Sequence, residues 1–252
     1  MPFFIYIMKI LKADNYQTWY FEESGSAIIV DPWLTKMLQP KGKFFIQREK
    51  DNSSCLSDQD INKIKAIIIT APFEDHLHYE SIKMFSVKTP IYTSTLVRSV
   101  LIRNNIRNPI HILDEAGSVI CNLNIKALPT SYPYYKTTFS ILIKNKNNKK
   151  ILHEGHVLNF KHIKENKINA DVAILTAENT KLFGLISLGM DYKKTIKACK
   201  LLNSKTLFIT GNNPQETQGF IKKFLKTTAF NKDKLTKYVN VLENEGDFIE
   251  ID

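Results

Sequence analysis

The sequence predicts a four-layer αββα sandwich, with two β-sheets face to face and helices on their outer sides. Three observations lead there. Short β-type runs open the chain and give way to alternating strands and helices, and this β-rich then β/α order occurs twice. The run Ala66-Ile67-Ile68-Ile69-Thr70 is almost wholly apolar, as a strand buried on both faces must be. The 252 residues, 43% of them hydrophobic, suffice for a large core in one domain, 1–252, with 1–7 read as an N-terminal extension and Met8 as the working start. Periodicity alone also admits other layered α/β folds.

The elements follow in order. Strands are predicted over 9–12, 18–22 and 27–30, with a turn at Gly25, and the meander ends in Asp31-Pro32-Trp33-Leu34. The polar stretch 39–56 has no period and reads as an exposed loop over one rim. Ser57-Asp58-Gln59-Asp60 is a helix start. After the strand 66–70 come a helix (79–85), a strand (90–92) and a helix (94–103). An antiparallel meander follows over 119–128, 138–143 and 150–154, with a turn at 145–148. Strands at 171–175 and 206–210 then alternate with helices at 192–202 and 215–227. Strands 239–242 and 248–251 close the chain.

Composition excludes several classes. Gly and Pro are spread thinly, and no repeat or linker stands out. The formal charge of +10 comes from scattered lysines, which argues against a dedicated nucleic-acid surface. Three separated cysteines, Cys55, Cys121 and Cys199, support neither a disulfide framework nor a zinc ribbon and fit a reducing, cytoplasmic setting. The apolar start 1–7 is too short to span a membrane, and no membrane partner is expected. No Walker sequence and no Gly-x-Ser-x-Gly elbow is present.

The sharpest chemical feature is Asp75-His76, directly after the buried strand. A carboxylate and an imidazole in one loop can converge on zinc, iron or manganese, although the same pair could cap the following helix. His78 lies two residues on, an offset that sends helical side chains to different faces, so it reads as a surface histidine. Gly155-His156 ends a strand, where glycine frees the backbone and the histidine can project over the rim. His153, inside that strand, reads as packed; His111 and His162 receive no role. Tyr132, Tyr134 and Tyr135 form an apolar wall whose hydroxyls could orient a substrate, and Trp33 reads as packing.

Together these residues resemble the metallo-β-lactamase superfamily, in particular its lactonase-like and plant/cyanobacterial uncharacterised branches. The resemblance rests on Asp31 to Leu34, on Ala71-Pro72-Phe73-Glu74-Asp75-His76 against the family's His-x-His-x-Asp-His, on Gly155-His156, on the strand ending at Asn212, and on the closing Glu245 to Glu250. It implies a divalent-metal hydrolase, but Ala71 and Phe73 stand where the first two histidines belong, and Asn212 or a neighbour where the last does. The surviving ligands implied are Asp75, His76 and His156, with Asp75 also able to take a proton; His78, Asp31, Tyr132 and Asn212 are further candidates.

Three readings follow. The first is a hydrolase with one metal ion, most simply zinc, acting on a small ester, lactone or phosphoester. The second is an inactive binding or regulatory protein without metal. The third is a nucleic-acid processor, which the scattered charge disfavours.

Overall fold

Runs of residues buried on both faces set the first sheet. The computed structural model describes residues 7–38, 47–50, 52–211, 216–228 and 230–252. Strands β1 (Met8–Lys12), β2 (Trp19–Glu23) and β3 (Ser26–Val30) form an antiparallel meander, with Ser24 and Gly25 at positive φ in the turn. Two short strands, β4 (Met37–Leu38) and β5 (Gln47–Glu49), follow. Helix α1 (Asp58–Lys63) starts in a reciprocal capping box: the Ser57 side chain accepts from the Asp60 amide, and Asp60 accepts from the Ser57 amide. Strand β6 (Ile64–Ile69), helix α2 (Tyr79–Lys83), strand β7 (Ile91–Thr93), helix α3 (Thr95–Arg103) and strand β8 (Ile110–Ile112) complete this half.

The second half opens with β9 (Ser118–Ile120), β10 (Leu123–Pro129), β11 (Phe139–Lys144) and β12 (Lys150–His153). It continues through α4 (Phe160–Glu165), β13 (Val172–Leu175), β14 (Asn179–Leu182), β15 (Ile186–Ser187), α5 (Tyr192–Leu202) and β16 (Thr206–Ile209). Strand β17 (Glu216–Gln218), a 3-10 turn (Phe220–Phe224), β18 (Leu225–Thr228), α6 (Lys232–Thr236), β19 (Asn240–Leu242) and β20 (Phe248–Ile251) end it.

Two seven-stranded sheets result, in the orders β20-β1-β2-β3-β6-β7-β8 and β19-β16-β13-β12-β11-β10-β9. Their inner faces interlock through Ile10, Trp19, Phe21, Ile28 and Ile68 on one side and Ile125, Ile141, Ile143, Ile174 and Phe208 on the other. Ile82, Val97 and Leu101 seal helices onto the first sheet; Ile163, Ala198, Leu202 and Leu235 do so on the second. This is the αββα sandwich. Polar cross-links also tie the sheets: Trp19 Nε1 donates to Thr210 Oγ1 (3.1 Å), and the buried Lys12 Nζ donates to the carbonyls of Ile209 (2.8 Å) and Glu243 (2.7 Å). Among the described residues no helix is long and apolar enough to cross a membrane.

Several expectations need correction. The run 119–128 is two strands, because Cys121 and Asn122 both take positive φ (51° and 68°) and reverse the chain. The helix expected over 215–227 is not formed: Gly219 at φ 99° ends β17, a 3-10 turn follows, and β18 pairs with β14. Part of the supposed loop 39–56 is strand β5, paired on one side with β4 and on the other with β17. The rest of that stretch over 39–46, the extension 1–6 and the candidate Asn212 lie outside the described residues.

Candidate functional site

In sheets of this kind the rim beyond the carboxyl ends of parallel strands is where side chains from different strands can meet. Here β3 and β6 run parallel in one sheet, and β12, β13 and β16 run parallel in the other. Asp31, Thr70, Glu154, Thr176 and Thr210 follow these strands directly. Asp31 is wholly buried at φ 49°, a conformation its short polar side chain tolerates. Its Oδ1 accepts from the Thr70 amide (2.7 Å), and its Oδ2 accepts from Thr70 Oγ1 (2.5 Å) and lies 2.8 Å from His76 Nδ1. A carboxylate there fixes the imidazole tautomer, with a proton on Nδ1 and Nε2 pointing away.

That Nε2 meets a second histidine. His76 Nε2 and His156 Nε2 are 2.6 Å apart, with the rings nearly perpendicular at 79°. Burial, then the neighbouring His76, push His156 down to about 3. Burial also opposes the charge on His76, but the adjacent Asp31 outweighs it and holds that ring above the usual histidine range. His156 reaches the rim at φ 83°, just after Gly155, where a Cβ would fall 2.5 Å from the Phe139 carbonyl oxygen. Tyr134 stacks on the His156 ring with centroids 4.5 Å apart.

Asp75 faces elsewhere. Arg48 Nη1, arriving on β5, donates to Asp75 Oδ2 (2.6 Å) and to Tyr16 Oη (2.5 Å), while Tyr16 Oη donates to the same carboxylate oxygen (3.0 Å). Gln17 Nε2 holds the Asp75 carbonyl (2.7 Å). Burial works to raise the Asp75 carboxyl, yet Arg48, the two histidines and Tyr16 bring it down to about 2. The guanidinium beside Tyr16 and Asp75 stays charged despite its own burial.

The remaining expectations sort by position. His78 is not a surface histidine: it is buried as the N-cap of α2, its Nδ1 2.8 Å from Ser81 Oγ, and burial lowers it to about 4. Tyr132 is 67% exposed and absent from the pocket wall, where Tyr134 stands instead. His153 is packed beside Trp19 in the core, and Trp33 is fully buried. Ala71 is buried, while Phe73 lies edge-on to His76 and Tyr134. Arg48, Tyr16 and Thr70 were not singled out in the sequence. Arg48 sits in a stretch without periodicity, and nothing local marks its partner 27 residues away.

These groups open into a pocket of about 570 Å³. Tyr16, Arg48, Asp75 and His156 supply its polar lining, and Phe73, Tyr134, Leu188 and Leu225 much of its apolar lining. It is concave and mainly apolar with a few convergent polar groups, the usual character of a small-molecule site.

A two-sheet sandwich with such a pocket at its rim defines a class of protein, and sequence comparison names it. Residues 13–210 match the family described as beta-lactamase superfamily domain, and the chain belongs to that family. No curated protein sequence matches it. Among solved structures it is similar to the isothiocyanate hydrolase from Delia radicum gut bacteria, with 15% identity, TM-score 0.69 and coverage of 96% of this chain and 98% of that one. A metallo hydrolase from the archaeon Ignicoccus hospitalis is similar at 18% identity and TM-score 0.63, over 98% and 99% of the two chains. The metallo-beta-lactamase fold protein YhfI from Bacillus subtilis aligns at 12% identity and TM-score 0.63, over 98% and 100%.

The family's fold implies a divalent metal, so the donor set matters. Among the described residues no three His, Cys, Asp or Glu side chains converge as a metal site requires. Two imidazole nitrogens face each other, the Asp75 carboxylate is engaged by Arg48 and Tyr16, and a guanidinium stands beside it. A dication placed there would meet a fixed positive charge. The residues present do not fit the metal centre of the fold.

Proposed function

We propose that this chain is a small-molecule-binding member of the superfamily that works without a resident metal. One observation carries the reading: Arg48 already supplies, 2.6 Å from Asp75, the positive charge that a metal would bring to that carboxylate. The apolar lining of Phe73, Tyr134, Leu188 and Leu225 selects a ligand with an apolar body. His156, held by His76 and stacked on Tyr134, offers a neutral imidazole to the ligand's polar end. Asp31 acts through His76, holding its ring so that His156 stays in place.

A second reading has its own observation. Asp31 holds His76 Nδ1 as a metal-bound histidine is commonly held, leaving Nε2 aimed at the rim. Together with solved relatives named as hydrolases, this supports hydrolysis of a small ester, lactone or phosphoester; an ion there would have to be held by His76, His156 and Asp75, and would require Asp75 to be free of Arg48.

Elemental analysis of untagged protein separates the two, with the His76→Ala and Arg48→Met variants alongside. The binding reading expects no stoichiometric metal in wild type or in His76→Ala, even after incubation with zinc, iron or manganese. About one equivalent of metal in wild type, lost in His76→Ala, overturns it in favour of the hydrolase.

A further inference from the structure

The small sheet β15-β14-β18 walls the pocket on one side and faces solvent on the other. Its period of two sorts the residues. Thr180 and Leu225 line the pocket, whereas Lys181 and Lys226 are directly opposite each other on the alternate face, and Phe183 packs against Phe224 with centroids 4.9 Å apart. Between β14 and β15 the chain turns at Phe183 (φ 53°) and Gly184 (φ 70°). A left-handed backbone at phenylalanine is uncommon, and here it holds the ring at a projecting tip. Phe183 is 60% exposed and Leu185 85%, with Phe220, 44% exposed, on the neighbouring 3-10 turn.

The charges on the two segments that build this face have one sign. Residues 179–187 and 217–228 contain Lys181, Lys222, Lys223 and Lys226 and no Asp or Glu. Like charges opposite each other across a strand pair destabilise it, so the Lys181–Lys226 pair calls for an anionic counterpart. A second copy of this face would add four more lysines against these four, which disfavours self-association. Projecting apolar side chains ringed by lysine match the interface of an anionic bilayer: the rings and Leu185 enter the acyl boundary, and the ammonium groups meet lipid phosphates and carboxylates.

We propose that this outward face docks the protein peripherally on an anionic lipid bilayer, with Phe183 and Leu185 inserted and Lys181, Lys222, Lys223 and Lys226 on the headgroups. These residues lie on two separate segments that β14 and β18 bring together, so no single stretch of sequence marks the face. Docking through this face is independent of what the pocket binds. It does set the pocket wall of Thr180 and Leu225 next to the bilayer.

The test is co-sedimentation of the full chain with phosphatidylcholine vesicles, with and without phosphatidylserine, at low and high salt. The expected result is binding only with phosphatidylserine, weakened by salt. Each Lys→Gln replacement should lower it about fivefold, so Lys222→Gln with Lys223→Gln lowers it about 25-fold. Phe183→Ser with Leu185→Ser should also release the protein, with the fold retained and the melting temperature lowered only by the lost Phe183–Phe224 ring contact, a loss that Leu185→Ser alone avoids because that side chain is 85% exposed. No binding to phosphatidylserine vesicles at low salt overturns the proposal. So does binding indifferent to both variant pairs, or a wild-type dimer that Phe183→Ser disperses without any vesicle binding.

Discussion

Arg48 Nη1 lies 2.6 Å from Asp75 Oδ2, a guanidinium on the short strand β5 closing over a carboxylate in the loop after β6. Both side chains are largely buried, and Tyr16 touches both. Arg48→Met should therefore leave Asp75 an uncompensated charge and cost about 2 kcal/mol at pH 7, less than a fully buried pair because some solvent reaches both groups. The sign with pH follows from the depressed carboxyl. The native Asp75 value of about 2 lies below the unfolded value, so its contribution is complete above pH ~3.9 and disappears as pH falls through about 2. Thermal melts of wild type and variant should thus differ at pH 7 and converge toward pH 2. An equal gap at both would show that Arg48 acts through packing instead.

Asp31→Asn keeps the size and the tolerated backbone, but it places an amide or a weaker acceptor beside His76 Nδ1. His76 should lose its elevated affinity for the proton, and its tautomer should no longer be fixed. Imidazole nitrogen NMR should show the Nδ1–H of His76 in wild type and a mixed population in the variant, with stability lowered by about 2 kcal/mol. Unchanged His76 resonances would remove Asp31 from this role.

Glu154 is buried, and its Oε1 accepts from the Thr176 amide (2.7 Å) and from Thr176 Oγ1 (2.5 Å), while among the described residues Oε2 has no partner. Burial pushes its carboxyl up to about 8. Because the native value is above the unfolded one, stability is full below the unfolded value and falls as pH rises from ~4.3 towards 8. Glu154→Gln should remove this slope and gain on the order of 2 kcal/mol at pH 8, relative to wild type. Denaturant titrations at pH 5 and pH 8 provide the comparison; parallel pH profiles would contradict it.

Gly155→Ala should be poorly tolerated, since the new Cβ falls 2.5 Å from the Phe139 carbonyl oxygen and 3.3 Å from Thr130 Cγ2. Backbone on one side cannot yield cheaply, so a loss of about 1–3 kcal/mol is expected. His156 should shift with it and weaken its stacking on Tyr134. A variant with wild-type melting temperature would mean that β11 and β12 are looser here than their spacing indicates.

The site was only partly legible in the sequence. Asp75, His76 and His156 stand out because they follow strand ends, where side chains reach the rim; Asp75 and His156 line the pocket, and His76 is buried behind it against His156. Which of them face each other was not legible. Asp75 turns to Arg48, and His76 turns to His156, because those contacts join segments 27 and 80 residues apart. Tyr132 and Tyr134 are equivalent by composition, and only the fold sends one outward and the other onto His156. His78 reads as a surface residue by helical offset, but α2 begins one residue later, which makes it a buried cap.

By itself the sequence determined most of the order of strands and helices, since that follows from local pattern; the αββα architecture and the missing histidines at Ala71 and Phe73 came from the resemblance of its motifs to the superfamily. The tertiary structure decided the partners. Asp31 with His76, Arg48 with Asp75 and Lys181 beside Lys226 are contacts between distant segments, and hydrophobic periodicity fixes which face of an element is buried but not which polar group meets it across a rim.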